Sequence, residues 1–150
     1  MQLDSRYAGG VFRLAETATL AGGSTLRAAT VAQPAVLSVG ALSIGETAGF
    51  AADDGATIHL DAVSGTPSAI ALDGGTFELG ALPENKSWAF AELHLKHGAQ
   101  VRLPSGGSLR VHDVFVDGVK QTTSVFEAGE TAWLLSGKVI TREGTVFILR

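Results

Sequence analysis

The chain has 150 residues, no cysteine and a net charge of −4, with its 11 lysines and arginines scattered singly. Missing cysteines exclude disulfide frameworks, thiolate metal centres and a cysteine nucleophile, and dispersed basic residues exclude the clustered footprint that holds nucleic acid by counterion release. The length suits one domain, residues 1–150, able to bury a core of its own. Its 19 glycines are about double the average share, its 17% charged residues fall below the usual figure of about 25%, and its 45% hydrophobic residues exclude disorder. No stretch approaches the roughly 20 apolar residues of a membrane span, and Met1 to Gly10 lacks a basic segment followed by an apolar run. A signal for export would therefore lie outside these residues.

Along the chain one short phrase recurs, a glycine followed after two residues by an apolar–any–apolar triplet. It stands at Gly9-Gly10-Val11-Phe12-Arg13-Leu14, Gly23-Ser24-Thr25-Leu26-Arg27-Ala28 and Gly55-Ala56-Thr57-Ile58-His59-Leu60. It returns at Gly74-Gly75-Thr76-Phe77-Glu78-Leu79, Gly98-Ala99-Gln100-Val101-Arg102-Leu103 and Gly106-Gly107-Ser108-Leu109-Arg110-Val111, with a looser copy at Gly144-Thr145-Val146-Phe147-Ile148-Leu149. Glycine supplies the turn, and the alternation places two apolar side chains on one face of a strand with a polar one between them facing out. Val36 to Gly45 fits the scheme as two apolar–serine–apolar strands with a Gly40-Ala41 corner. No window keeps helical spacing, so Pro83 to Ser87 is expected to be a loop and Trp88 to Leu95 extended. Gaps between phrases fit coils of about 18 to 25 residues, each burying its inner face against its neighbours. The expected fold is all-β, a right-handed parallel β-helix (β-solenoid) closed by strands in 133–150; the alternative is a jelly-roll β-sandwich.

The C-terminal third carries the most distinctive text, Leu109-Arg110-Val111-His112-Asp113-Val114-Phe115-Val116-Asp117-Gly118-Val119-Lys120 followed by Trp133-Leu134-Leu135-Ser136-Gly137-Lys138-Val139-Ile140. It resembles the end of bacterial right-handed β-helix proteins of the pectin-lyase-like and autotransporter-associated repeat type, in which a V-N/D-G-V hairpin precedes a last W-L-S-G-x-G-x-V strand. Lys138-Val139 stands where a second glycine often does. The resemblance covers about residues 70 to 150 and implies a segment of a secreted or cell-surface protein that contacts polysaccharide. It implies no particular reaction and carries no site residue over.

The chemistry available is sparse. Asp53-Asp54-Gly55 has the form of a turn rather than the paired carboxylates of glycoside hydrolysis. His59, His94, His97 and His112 alternate or begin turns, so no metal site is expected, and no cofactor either. Gly-x-Ser-x-Gly is absent, and the Gly-Gly pairs precede strands where phosphate loops precede helices. Trp88, Trp133 and Tyr7 are candidates for a sugar-stacking platform, with core packing the competing role. The outward slots Arg13, Arg27, His59, Glu78, Arg102 and Arg110 would form a mildly basic strip if coils stack in register. We therefore expect a non-catalytic structural or polysaccharide-binding module of an exported bacterial protein, binding through Arg13, Arg27, His59, Arg102, Arg110 and Trp88, with no catalytic residue assigned. The alternatives are a polysaccharide lyase or glycoside hydrolase drawing on Asp61, Asp73, Lys96 or Arg102, and a self-assembling fibre or shell subunit. An open start at Met1 leads us to expect a longer parent chain or self-association, as trimers or end to end.

Overall fold

The computed structural model describes residues 2–5, 11–30, 35–53 and 55–141. They form fifteen strands and no helix: β1 (Gln2–Ser5), β2 (Val11–Leu20), β3 (Thr25–Thr30), β4 (Ala35–Ile44), β5 (Gly49–Asp53), β6 (Ala56–Ser64), β7 (Ala69–Asp73) and β8 (Thr76–Leu79). These are followed by β9 (Ser87–Lys96), β10 (Gln100–Arg102), β11 (Ser108–Val116), β12 (Val119–Lys120), β13 (Val125–Glu127), β14 (Leu134–Ser136) and β15 (Lys138–Thr141). Odd strands build a nine-stranded sheet in the order β1-β3-β5-β7-β9-β11-β15-β13, with β12 on β11; even strands build a six-stranded sheet in the order β14-β10-β8-β6-β4-β2. The chain thus steps from one sheet to the other and back, stacking its strands in parallel except for β12 and β13, in a β-solenoid of about 4 turns. Parallel ladders exclude the jelly roll, whose sheets are antiparallel.

Register follows the phrase found in the sequence. Ser38 pairs with His59, His59 with Glu78, and Glu78 with Arg102, so successive coils take 21, 19 and 24 residues. The apolar members of the five phrases between Gly23 and Val111 face in, as Leu26, Ala28, Ile58, Leu60, Phe77, Leu79, Val101, Leu103, Leu109 and Val111 are all buried. Phe50 and Phe77 meet with ring centroids 5.3 Å apart, and Trp88 lies 6.2 Å beyond Phe77, giving the interior an aromatic column. The first phrase's glycines, the closing phrase at Gly144, Tyr7 and Asp54 lie outside the described residues.

Three local expectations are refined. The Gly40-Ala41 corner lies within a single strand, β4; the inward phase slips there, from Leu37 and Val39 to Leu42 and Ile44, without a change of sheet. Pro83 to Lys86 is a turn, and β9 runs from Ser87 to Lys96. The closing text is two strands rather than one. Leu134–Ser136 joins the six-stranded sheet, Gly137 turns with φ of 82°, and Lys138–Thr141 joins the nine-stranded sheet. The Asp117-Gly118 hairpin is present as β11 and β12, with φ of 49° and 80° at its two central residues, the positive pair that a two-residue turn of matching twist requires. At the same end β13 pairs antiparallel with β15, and Phe126 packs against Trp133 at 5.2 Å.

Candidate functional site

Alternation along β3, β5, β7 and β9 sends every second side chain outward, and parallel register lines these up across coils. One row runs Arg27, Ala51, Ala71, His94; beside it, Asp53 pairs with Asp73 and Asp73 with Lys96. Two alanines in adjoining coils make a low floor, and the longer polar side chains stand around it, leaving a shallow depression of about 390 Å³. Arg27 donates through Nε to Asp53 Oδ2 at 3.2 Å. His97, in the turn after β9 with φ of 53°, bonds Asp73 through its ring and donates its backbone N–H to Asp117 Oδ1 at 3.3 Å. The hydrogen bond to Asp73, reinforced by that carboxylate's charge, raises the pKa of His97 above its ordinary value. His94 donates to Glu92 at 2.9 Å, and its ring stacks on Phe115 at 4.6 Å with planes 3° apart.

The residues expected to form a basic strip divide between the two sheets. Arg13, Ser38, His59, Glu78, Arg102 and Ser136 occupy one continuous row of the six-stranded sheet. Glu78 sits in the middle of it, accepting from His59 Nδ1 at 3.1 Å and pairing with Arg102 Nε at 3.4 Å, while Asp61 meets His59 Nε2 at 2.8 Å. This row is mixed in sign, and its His59 and Arg102 are engaged by acids. Arg27 and Arg110 lie on the nine-stranded sheet, Arg110 between Ser87 and Ile140. Trp88 belongs to neither face. It is 0% exposed and donates its indole N–H to the Gly65 carbonyl at 3.1 Å, so its ring packs the core and offers no platform. Trp133 is half-buried against the core.

Asp61 and Arg102 sit on one sheet and Asp73 and Lys96 on the other, so the four candidate acids and bases do not converge. Every histidine ring faces a carboxylate: His59 faces Glu78 and Asp61, His94 faces Glu92, His97 faces Asp73 and His112 faces Asp113. Sequence reasoning missed Glu78 and Asp73, as it missed the alanine floor, because these depend on which coil lies next door; Asp61, Glu92 and Asp113 stand within two residues of their histidines. Among the described residues, one group, Glu92, His112 and Asp113, brings three possible metal donors together. Burial pushes the Asp113 carboxyl upward, but hydrogen bonds from Lys120 and His112, with their charges, outweigh it and hold the pKa below the usual carboxylate value. Among the described residues, no helix is long and apolar enough to cross a membrane. No family model, curated protein or solved structure matches this chain.

Proposed function

We propose that this chain is a non-catalytic polysaccharide-binding module of an exported or cell-surface bacterial protein, of the kind its C-terminal text resembles, and that the glycan lies on the nine-stranded sheet. The observation that carries this reading is the floor of Ala51 and Ala71, rimmed by Arg27, Asp53, Asp73, His94 and Lys96. A flat floor accepts a broad ligand face, and a rim of mixed donors and acceptors suits the hydroxyl groups of a sugar better than a single-sign partner. The row repeats from coil to coil at the spacing of β-strands, about 4.8 Å. An elongated polymer with its own repeat is therefore a better match than a small compact ligand.

Affinity electrophoresis through gels containing neutral or uronate polysaccharides tests the reading. Retardation by at least one glycan is expected, with loss on Ala71→Arg, which raises a long side chain from an exposed floor position. Retardation that Ala71→Arg leaves unchanged would move the ligand to another surface. Assaying the same polysaccharides for new reducing ends or unsaturated uronate absorbance separates binding from cleavage, and either signal would replace this reading with an enzymatic one.

A further inference from the structure

We propose that Glu92, His112 and Asp113 form a site for one transition-metal ion of the Zn²⁺ class, independent of the glycan reading. The site originates in a fault in the ladder. Leu109, Val111 and Val114 face in, so the alternation of β11 slips by one residue, and its register with β9 shifts between Val111 and Asp113. An irregularity of this kind turns two consecutive side chains to the same side, and here they are His112 and Asp113, both half-buried on the outer face. In β9, Trp88 faces Val111 and Glu92 faces Asp113, so three residues stand against His112 alone. The surplus is pushed outward at Phe90, which is 76% exposed, and Glu92 is delivered beside Asp113.

The donor atoms of the three residues all lie within 4.8 Å of one another, and His112 Nδ1 stands 2.9 Å from Asp113 Oδ2. Ligands on a tetrahedral ion with bonds of about 2.0 Å are separated by about 3.3 Å, so modest rotations of half-exposed side chains would close the set. Other groups already orient it. His94 holds Glu92 Oε2 at 2.9 Å, and Lys120 Nζ holds Asp113 Oδ1 at 3.0 Å while Oδ2 meets His112. Such outer hydrogen bonds fix ligating carboxylates. In the empty site Nδ1–H donates to the carboxylate; on binding, that proton is released to solvent, Nε2 takes one up so that the ring stays neutral, and Nδ1 gives its lone pair to the ion. One imidazole with two carboxylates favours Zn²⁺ over Ca²⁺, which prefers six to eight oxygens. Three protein ligands leave a fourth position open to water or to a ligand's oxygen.

Equilibrium dialysis of chelator-treated, tag-free protein against micromolar Zn²⁺ or Ca²⁺, with elemental analysis, tests the site. The expected result is one Zn²⁺ per chain and no Ca²⁺. Binding should weaken by about tenfold or more in His112→Ala and in Glu92→Gln, with a smaller loss in His94→Ala, whose side chain acts through Glu92. Circular dichroism checks that each variant is folded, and Asp113→Asn replaces His112→Ala if that variant is not. Absence of bound Zn²⁺, equal retention of Ca²⁺, or Zn²⁺ retention unchanged in both ligand variants would overturn the proposal.

Discussion

The first coils and the last coils use the same two sheets differently. Toward the N-terminus the long strands, β2 and β4 with 10 residues each and β6 with 9, belong to the six-stranded sheet. Toward the C-terminus the long strands, β9 with 10 and β11 with 9, belong to the nine-stranded sheet, and their six-stranded partners β8 and β10 shrink to 4 and 3. The exchange happens between β6 and β9, where Trp88 fills the interior and reaches back to the Gly65 carbonyl. The difference also separates chemistry. The long N-terminal strands end in a small-side-chain surface such as Ser43, Ala62 and Ser64, whereas the long C-terminal strands carry Glu92, His94, His112 and Asp113 outward. Glu92 and His94 lie where β9 pairs with β7, and His112 and Asp113 lie where β11 runs on past its pairing with β15.

If Trp88 holds the exchange point together, Trp88→Ala should be the most damaging change, costing about 3–5 kcal/mol for a large buried aromatic, read as a fall in chemical-denaturation midpoint. A loss no greater than that of Trp133→Ala would remove Trp88 from this role. Gly65→Ala probes the same place from the other side: φ is 84°, and a Cβ would stand 2.2 Å from the Ile44 carbonyl oxygen. We expect it to cost about 2–3 kcal/mol, against about 1 kcal/mol for Gly98→Ala, which has φ of 74° but open space around it. Equal midpoints for the two glycine variants would show that coil contact at Gly65 is relaxed. On the outer faces effects should be smaller. Glu78→Ala takes from Arg102 its facing acid and from His59 one of two carboxylates, at a half-exposed position, and should cost no more than about 1 kcal/mol.

The smallest effect expected is the dependence on pH at His97. Its folded pKa is raised by Asp73, so its contribution is fully present below the unfolded imidazole value of about 6.5 and is lost as pH rises through the higher folded value. Titration of the imidazole by NMR should give a pKa above that of an unfolded histidine, and Asp73→Asn should return it toward that value. An unchanged titration in the variant would discard the pairing.

The glycine-led phrase foretold the strands because it encodes purely local rules, a turn residue and a two-residue alternation. The inward placement of Ile58, Leu60, Phe77 and Leu79 was legible for the same reason. Which outward residues become neighbours was not, because coil lengths of 21, 19 and 24 residues set the register and vary with loops that carry little pattern. Thus Arg13, His59 and Arg102 came to share a row with Glu78, while Arg27 and Arg110 went to the other sheet. The slip at His112 had a visible trace: the apolar residues Val111 and Val114 are three apart where the alternation called for two. Glu92 had no such trace, since only the neighbouring coil gives it meaning.

The antiparallel entry of β13 changes the template that the described edge of the nine-stranded sheet presents. A stack of parallel coils is a growing polymer in all but name, its outermost strand a template for the next coil or for another chain. β13 meets β15 with its direction reversed, and Phe126 and Trp133 fold in beneath it. A further parallel coil arriving there would find the wrong hydrogen-bond pattern on the nine-stranded side and, in β14, a template of only 3 residues on the other. Among the described residues, the nine-stranded sheet thus ends on a strand that runs against the stack.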